Sequence, residues 1–126
     1  MYKTRKQNRV DVISYVRVSE RRNNNSIGFV KDLNNAGIRL KSLRYFKPQT
    51  NCHLAISLPY PTKYDNSVAI DAKVIWSTQS DLNGYFDTGI ELQDVKPHEL
   101  DAIEKFIEYV ADTNKFFSLN EAEKTA

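Results

Sequence analysis

The sequence predicts a mainly β fold, an antiparallel barrel or sandwich of six strands followed by an amphipathic C-terminal helix. Six apolar stretches follow one another at short spacing between residues 10 and 92, with no helical pattern between them. The apolar residues take up helical spacing only after Pro97. A chain of 126 residues is long enough for one domain with a single hydrophobic core.

Each predicted strand rests on apolar residues at alternate positions. The first has Val10, Val12, Val16 and Val18 on one face, although Ile13 interrupts the polar side. The clearest strand begins at Val68 and has an apolar residue at every second position up to Trp76. This pattern favours a core position for the tryptophan, and the alternative is that Trp76 lines the ligand face. The other strands are predicted at residues 27–33, 38–43, 53–58 and 85–92.

The C-terminal helix is predicted to have about four turns and to close one mouth of the barrel with its apolar stripe. That stripe consists of Leu100, Ile103, Phe106, Ile107 and Val110. The expected organisation is therefore a flexible basic arm at residues 1–9, the barrel with its helix at residues 10–116, and a polar, frayed tail at residues 117–126.

Composition excludes several classes of protein. Hydrophobic residues make up 40% of the chain and charged residues 27%, as in an ordinary soluble globule. No apolar run is long enough for a membrane-spanning helix, and no export signal is visible, so membrane insertion is not expected. The single cysteine, Cys52, forms no internal disulfide, which favours a cytoplasmic protein. The isolated His53 and His98 lack partners for a metal site, and no catalytic motif indicates an enzyme.

Positive charge is concentrated in the first part of the chain. Residues 1–50 carry 12 lysines and arginines against 3 acidic residues, whereas residues 91–126 carry 4 against 9. This asymmetry favours an anionic ligand, although a lopsided solvated surface explains it equally well.

Two arginines of the basic arm, Arg5 and Arg9, form an RxxxR motif just before the first strand. Arginine presents a planar fork that meets guanine O6 and N7 or phosphate oxygens in pairs, and its plane stacks on a base. A second RxxxR pair, Arg17 and Arg21, begins within a strand and has a less suitable position. The alternative for the first pair is a disordered basic terminus without a ligand.

The corner between the second and third predicted strands contains a second candidate motif. Asp32 can accept hydrogen bonds from guanine N1–H and N2–H₂, Asn34 can both donate and accept, and Gly37 permits a close backbone approach or a positive φ. The alternative is a simple turn rich in turn-forming residues.

Together these motifs resemble those of PilZ domains, the bacterial receptors for cyclic di-GMP. The family pattern is RxxxR followed about 20–30 residues later by (D/N)xSxxG, and here Asp32 and Gly37 match while Asn34 occupies the serine position. Lys73-Val74-Ile75-Trp76 and the later Thr88-Gly89-Ile90 resemble a strand pair of the same family. The resemblance spans roughly residues 5–112 and implies a six-stranded antiparallel PilZ-type barrel.

The resemblance implies a cyclic di-GMP receptor that orders its N-terminal arm on binding and signals in trans to a protein partner in motility, exopolysaccharide or pilus machinery. No other cofactor is expected. The ligand-binding residues would be Arg5, Arg9, Asp32, Asn34 and Gly37.

Two alternatives remain open. One is a PilZ-like interaction module that does not bind cyclic di-GMP, which the departure at Asn34 favours. The other is a barrel that binds single-stranded nucleic acid, but its tyrosines do not interleave with basic residues, so a nucleic acid polymer is not the expected partner.

Overall fold

The computed structural model describes residues 9–60 and 66–125, and of residues 116–125 it describes the backbone alone. Within these ranges it contains seven strands and one helix. They are β1 (Val10–Asp11), β2 (Arg17–Glu20), β3 (Ser26–Leu33), β4 (Gly37–Ser42), β5 (Asn51–Ser57), β6 (Ser67–Gln79), β7 (Phe86–Leu92) and α1 (Pro97–Thr125).

Strands β2 to β7 form a closed antiparallel barrel. Two three-stranded meanders, β2–β3–β4 and β5–β6–β7, are joined by the pairing of β2 with β5 and by the pairing of β4 with β7. Closure gives every barrel strand two neighbours and removes the exposed edges of an open sheet. The predicted six-stranded antiparallel barrel with a C-terminal helix is confirmed.

The first predicted strand is two short strands separated by an irregular segment. Val12 N donates to Lys31 O at 2.8 Å, and Val30 N donates to Val16 O at 3.0 Å, so both ends of the segment are held against β3. The intervening residues 13–15 form an outward bulge, since β3 provides no equivalent residues to pair with them. This bulge explains why Ile13 interrupts the predicted alternation.

The barrel interior and the inner face of α1 share one core. Ile103 and Phe106 of the helix are fully buried, and Ile107 and Val110 are nearly so. The predicted apolar stripe therefore packs against the barrel. Near the start of the helix, Glu99 Oε1 accepts a hydrogen bond from Lys96 N at 2.9 Å.

Helix α1 has 29 residues, about twice the predicted four turns. The predicted length was that of the apolar stripe, which ends at Val110. Beyond it, residues 111–125 contain neither glycine nor proline and include several strong helix formers, so the backbone continues as a helix. No helix in the described ranges is long and apolar enough to span a membrane.

Candidate functional site

The turn between β3 and β4 is shaped by the side chain of Asn34. The side-chain Oδ1 accepts hydrogen bonds from the backbone N–H groups of Ala36 and Gly37, both at 2.9 Å. The backbone N–H of Asn34 donates to Gly37 O at 3.0 Å. Asparagine forms such turns because its short carboxamide reaches the backbone two and three residues ahead. The carboxamide in the usual serine position is therefore part of the turn itself.

Gly37 begins β4, where the backbones of β4 and β7 meet. A Cβ at this position would lie 2.7 Å from Ile90 O and 3.5 Å from Nη2 of Arg9. Its φ is not in the left-handed region. Of the two reasons predicted for a glycine here, the close approach is therefore the one that the structure shows.

The side chain of Asp32 is turned away from the barrel core by an irregularity in β3. The register of β3 with β4 shifts between Val30 and Asp32, which leaves Lys31 without a partner on β4. A one-residue bulge reverses the alternation that follows it. Asp32 consequently lies opposite Arg39 on the outer face, while Leu33 returns to the core.

Two guanidinium groups hold the Asp32 carboxylate. Arg9 Nη1 lies 2.9 Å from Oδ1, Arg39 Nε donates to the same oxygen at 2.9 Å, and Arg39 Nη2 lies 2.7 Å from Oδ2. The Asp32 side chain is 1% exposed, whereas those of Arg9 and Arg39 are 37% and 40% exposed. A buried carboxylate thus fixes two cations whose outer sides face solvent.

The hydrogen bond to Asp32 also raises the pKa of Arg39 above its ordinary value, against an opposing effect of desolvation. Arg39 is therefore permanently charged. With Arg9 it presents two guanidinium groups to this part of the surface, where the acidic residues are Asp32 beneath them and Glu91 in the β7 strand.

These residues border an open cleft of about 700 Å³. It lies between the β3–β4 turn, the outer sides of β4 and β7, and the middle of β6. The lining residues are Arg9, Asn34, Asn35, Ala36, Gly37, Arg39, Ile75, Trp76, Gly89, Ile90, Glu91, Leu92 and Val95.

Trp76 lines the cleft, and the predicted core position for this residue is wrong. The register of β6 with β7 shifts between Val74 and Trp76, so Ile75 is an extra residue in β6. The bulge turns Ser77 inward in place of Trp76, which is 37% exposed. The indole rests on Gly89, where a Cβ would overlap its ring.

A hydroxyl cluster lies behind the tryptophan. Thr88 Oγ1 is 2.8 Å from both Ser77 Oγ and Ser42 Oγ, and all three side chains are buried. Because buried hydroxyl groups need partners, these hydrogen bonds favour the register that places Ser77 inside and Trp76 outside.

The structure brings together most of the site residues that were predicted. Arg9, Asn34 and Gly37 line the cleft, with Asp32 beneath Arg9. Arg5 lies outside the described residues. Two further lining residues are Arg39, which was not predicted, and Trp76, for which the core was preferred over the ligand face. The position of Arg39, a polar residue on the strand beginning at Gly37, could have suggested it as a neighbour of Asp32.

The second RxxxR pair does not line this cleft. Arg17 Nη1 instead donates to Asn24 Oδ1 at 3.2 Å, and the Arg17 guanidinium also contacts Asn24 O.

The other titratable candidates lie elsewhere. His53 Nδ1 is 2.6 Å from Asp71 Oδ1 on an exposed part of the surface, and this hydrogen bond lowers the pKa of Asp71. Burial raises the pKa of the Cys52 thiol to about 11, so the thiol is a poor nucleophile at neutral pH. The residues that the structure describes include no group of three or more histidine, cysteine or acidic side chains arranged to hold a metal ion.

Comparison with known proteins identifies the family. The sequence model of the PilZ domain matches residues 3–109. No curated protein matches the chain by sequence.

Several solved structures share the fold. The PilZ domain of YcgR from Escherichia coli, solved with c-di-GMP, has a TM-score of 0.67 at 10% identity, and the alignment covers 93% of this chain and 98% of that one. The Bacillus subtilis inhibitor of motility, MotI/DgrA, has a TM-score of 0.59 at 15% identity, with 84% and 48% covered. The complex of K. pneumonia MrkH with c-di-GMP has a TM-score of 0.57 at 16% identity, with 100% and 57% covered. At these identities the likeness shows the fold alone.

Proposed function

Because the chain belongs to the PilZ domain family, we propose that it is a cytoplasmic receptor that binds cyclic di-GMP in the cleft beside Trp76. The observation that carries this proposal is the buried Asp32 carboxylate, which holds Arg9 and Arg39 at the rim of the cleft. The binding site would comprise Arg5, Arg9, Asp32, Asn34 and Gly37, together with Arg39 and Trp76. The single, unpaired Cys52 suits a reducing compartment.

The chemistry of the cleft suits a ligand with two phosphates and two guanines. Each guanidinium has donors on its solvent side, which can meet phosphate oxygens or the O6 and N7 atoms of guanine in pairs. The exposed indole of Trp76 offers a flat face on which a base can stack. Cations and an aromatic face around one cleft match such a ligand better than they match an uncharged one.

Asp32 contributes to binding through the two arginines that it positions. Both of its oxygens already face guanidinium groups, and its side chain is almost completely buried. The predicted contact of Asp32 with a guanine edge therefore requires one guanidinium to leave. An arm that orders over the ligand would give Arg9 such a movement.

Asn34 supports the corner of the site. Because its Oδ1 already accepts two backbone hydrogen bonds, that oxygen is not available to the ligand while the turn is intact. In this proposal Asn34 keeps Gly37 and the β3–β4 turn in position, and no ligand contact equivalent to that of a serine hydroxyl is needed.

The receptor has no enzymatic role in this proposal, and no metal or other cofactor takes part. Ligand binding orders the basic arm and changes the surface around the cleft. A protein partner in motility, exopolysaccharide or pilus machinery then recognises that surface in trans.

Titration calorimetry with cyclic di-GMP tests the proposal, with GTP and cyclic di-AMP as controls. We expect saturable binding that is selective for cyclic di-GMP. Trp76, the only tryptophan of the chain, gives a second signal, because a stacked base changes its fluorescence.

Arginine variants test the placement of the ligand. Arg9→Ala should abolish detectable binding, since it removes a guanidinium at the rim of the cleft. Arg17→Ala is the matched control, because Arg17 belongs to the second pair and does not line the cleft. Tight binding by the Arg9 variant would reject the proposed site.

A second candidate function is a PilZ interaction module that does not bind cyclic di-GMP. The use of the Asn34 side chain within the turn favours it, because the ligand loses a hydroxyl partner there. An absence of heat and of any thermal shift at high cyclic di-GMP concentration would select this alternative and leave the fold assignment unchanged.

A further inference from the structure

Three aromatic rings form a continuous patch on the outer wall of the barrel, away from the core. The ring centroids of Tyr15 and Phe29 are 5.5 Å apart, and those of Phe29 and Tyr85 are 5.7 Å apart. Tyr15 is 68% exposed. These three residues, which we call the aromatic surface, come from the bulge before β2, from β3 and from the segment before β7.

Packing of the hydrophobic core does not explain why Tyr15 is exposed. On either side of the bulge, Val12 and Val16 keep their hydrogen bonds with β3, and Val16 is buried. The bulge itself carries Tyr15 and also Ile13, which is 59% exposed. Two large side chains are therefore held in solvent by an insertion into the pairing with β3. Bulges of this kind commonly redirect side chains next to functional sites.

Cations surround the central ring of the aromatic surface. Phe29 pairs directly with Arg17 on one side and with Lys41 on the other, and Lys31 is exposed two positions further along β3. One acidic side chain lies close by, since Asp87 Oδ1 is 2.6 Å from Lys41 Nζ. Arg17 and the exposed Lys31 have no such acidic partner among the ion pairs of the described residues, so positive charge exceeds negative charge on this wall. The charge of this wall is complementary to an acidic partner.

The aromatic surface adjoins the cleft. Arg39 and Lys41 are alternate residues of β4, so both project from the outer face of the same strand, the first at the cleft and the second beside Phe29. Along the chain, the bulge is reached from Arg9 through β1. A segment docked on the aromatic surface would therefore lie next to the cyclic di-GMP site.

We propose that the aromatic surface is the docking site for an acidic, apolar-anchored segment of a partner protein. The tyrosine and phenylalanine rings receive its apolar side chains, while Arg17 and Lys31 attract its carboxylates. Exposed aromatic residues near cations are typical anchors of protein interfaces. This inference rests on the proposed function in one respect, namely that the receptor acts through a separate protein.

The test uses labelled synthetic peptides and fluorescence anisotropy, with and without cyclic di-GMP. One set combines leucine and phenylalanine anchors with aspartate and glutamate, and two matched sets replace the acidic residues by their amides or by lysine. We expect the acidic set to bind at least about tenfold more tightly than the lysine set.

Variants then locate the binding. Tyr15→Ser should weaken the binding of the acidic peptides by about tenfold or more, since Tyr15 is 68% exposed and an aromatic anchor of an interface commonly contributes that much. Tyr45→Ser is the matched control, because Tyr45 is 51% exposed but contacts Phe86 instead. Lys31→Glu should weaken binding, whereas Lys105→Glu on the exposed side of α1 should not.

Each contrary result has a defined meaning. Equal binding of the three peptide sets, or equal binding by the Tyr15 variant and the parent, would overturn the proposal. Binding to phosphatidylglycerol vesicles that depends on Tyr15, without acidic-peptide binding, would assign the surface to membranes and also overturn it. A dimer that Tyr15→Ser dissociates would assign it to a second copy of the chain.

Calorimetry with cyclic di-GMP on the same variants separates this inference from the proposed function. Retained ligand binding without peptide binding rejects only the docking site. If the parent protein itself does not bind cyclic di-GMP, the proposed function is rejected.

Discussion

Replacing the buried carboxylate of Asp32 gives the most decisive perturbation of the site. Asp32→Asn preserves the size of the side chain and one acceptor oxygen, but removes the charge that Arg9 and Arg39 share. Three close contacts are affected, at 2.9, 2.9 and 2.7 Å. The variant therefore isolates electrostatic positioning from packing.

The size of the effect follows from these contacts. A hydrogen bond that involves a charged group contributes about 1.5–3 kcal/mol when it is well buried. Both arginines are more than a third exposed and regain water, so the sum is strongly reduced. We expect the free energy of unfolding to fall by about 2–3 kcal/mol. For a domain of this size that is a fall in Tm of about 10 °C.

Ligand affinity should fall as well, by about ten- to a hundredfold, because each 1.4 kcal/mol of lost positioning costs about a factor of ten. Thermal unfolding followed by circular dichroism gives the stability, and calorimetry with cyclic di-GMP gives the affinity. Asp87→Asn is the matched control. Asp87 pairs with Lys41 on the same wall of the barrel but does not line the cleft, so this variant should bind within about twofold of the parent.

An unchanged or increased affinity of the Asp32→Asn protein would refute this reasoning. It would mean that the carboxylate masks the positive charge of the two arginines and that the ligand binds better when they are free.

Three further predictions concern individual side chains. Gly89→Ala should displace the Trp76 indole, shift its fluorescence to longer wavelength and weaken cyclic di-GMP binding about tenfold, and an unchanged emission spectrum would contradict the packing of the indole on Gly89. Cys52, with its thiol pKa raised to about 11, should react with a thiol reagent at neutral pH far more slowly in the native than in the denatured protein, and rapid labelling of the native protein would contradict its burial. The contribution of this thiol to the free energy of unfolding is fully present below its ordinary pKa of 9.0 and is lost as the pH rises towards 11. His53→Ala should raise the pKa of Asp71 towards its ordinary value of 3.8 in a carbon-13 NMR titration, and an unchanged pKa would contradict the His53–Asp71 hydrogen bond. The stability that Asp71 contributes is present above pH 3.8 and is lost as the pH falls below that value.

Alternation of apolar residues predicted the regular part of the barrel well. In β5 and β6, Leu54, Ile56, Val68 and Ile70 are buried as the period of two requires. The same rule was wrong where one strand contains residues that its neighbour lacks. Residues 13–15 and Ile75 are such insertions. A bulge is decided by how a strand pairs with its neighbour, which the apolar pattern of one strand does not specify, and only the irregular Ile13 marked one of these insertions.

The limits of the site prediction have the same origin. Asp32, Asn34 and Gly37 form a local motif that is visible in the sequence, and Arg9 reaches it through the pairing of β1 with β3. Arg39 meets Asp32 only because β3 is irregular at Lys31, and Trp76 reaches the cleft only because of Ile75. The orientation of these two side chains depends on tertiary pairing, which residue spacing alone does not determine.

The position of the cleft across the β4–β7 pairing has a consequence for the synthesis of the protein. The two strands are far apart in the sequence, and their pairing is one of the two that join the meanders into a barrel. A growing chain therefore has no site until β7 has left the ribosome and found β4. In the proposed function, cyclic di-GMP bound across this seam would hold the two meanders together and oppose their separation, so the ligand would also lengthen the lifetime of the folded protein.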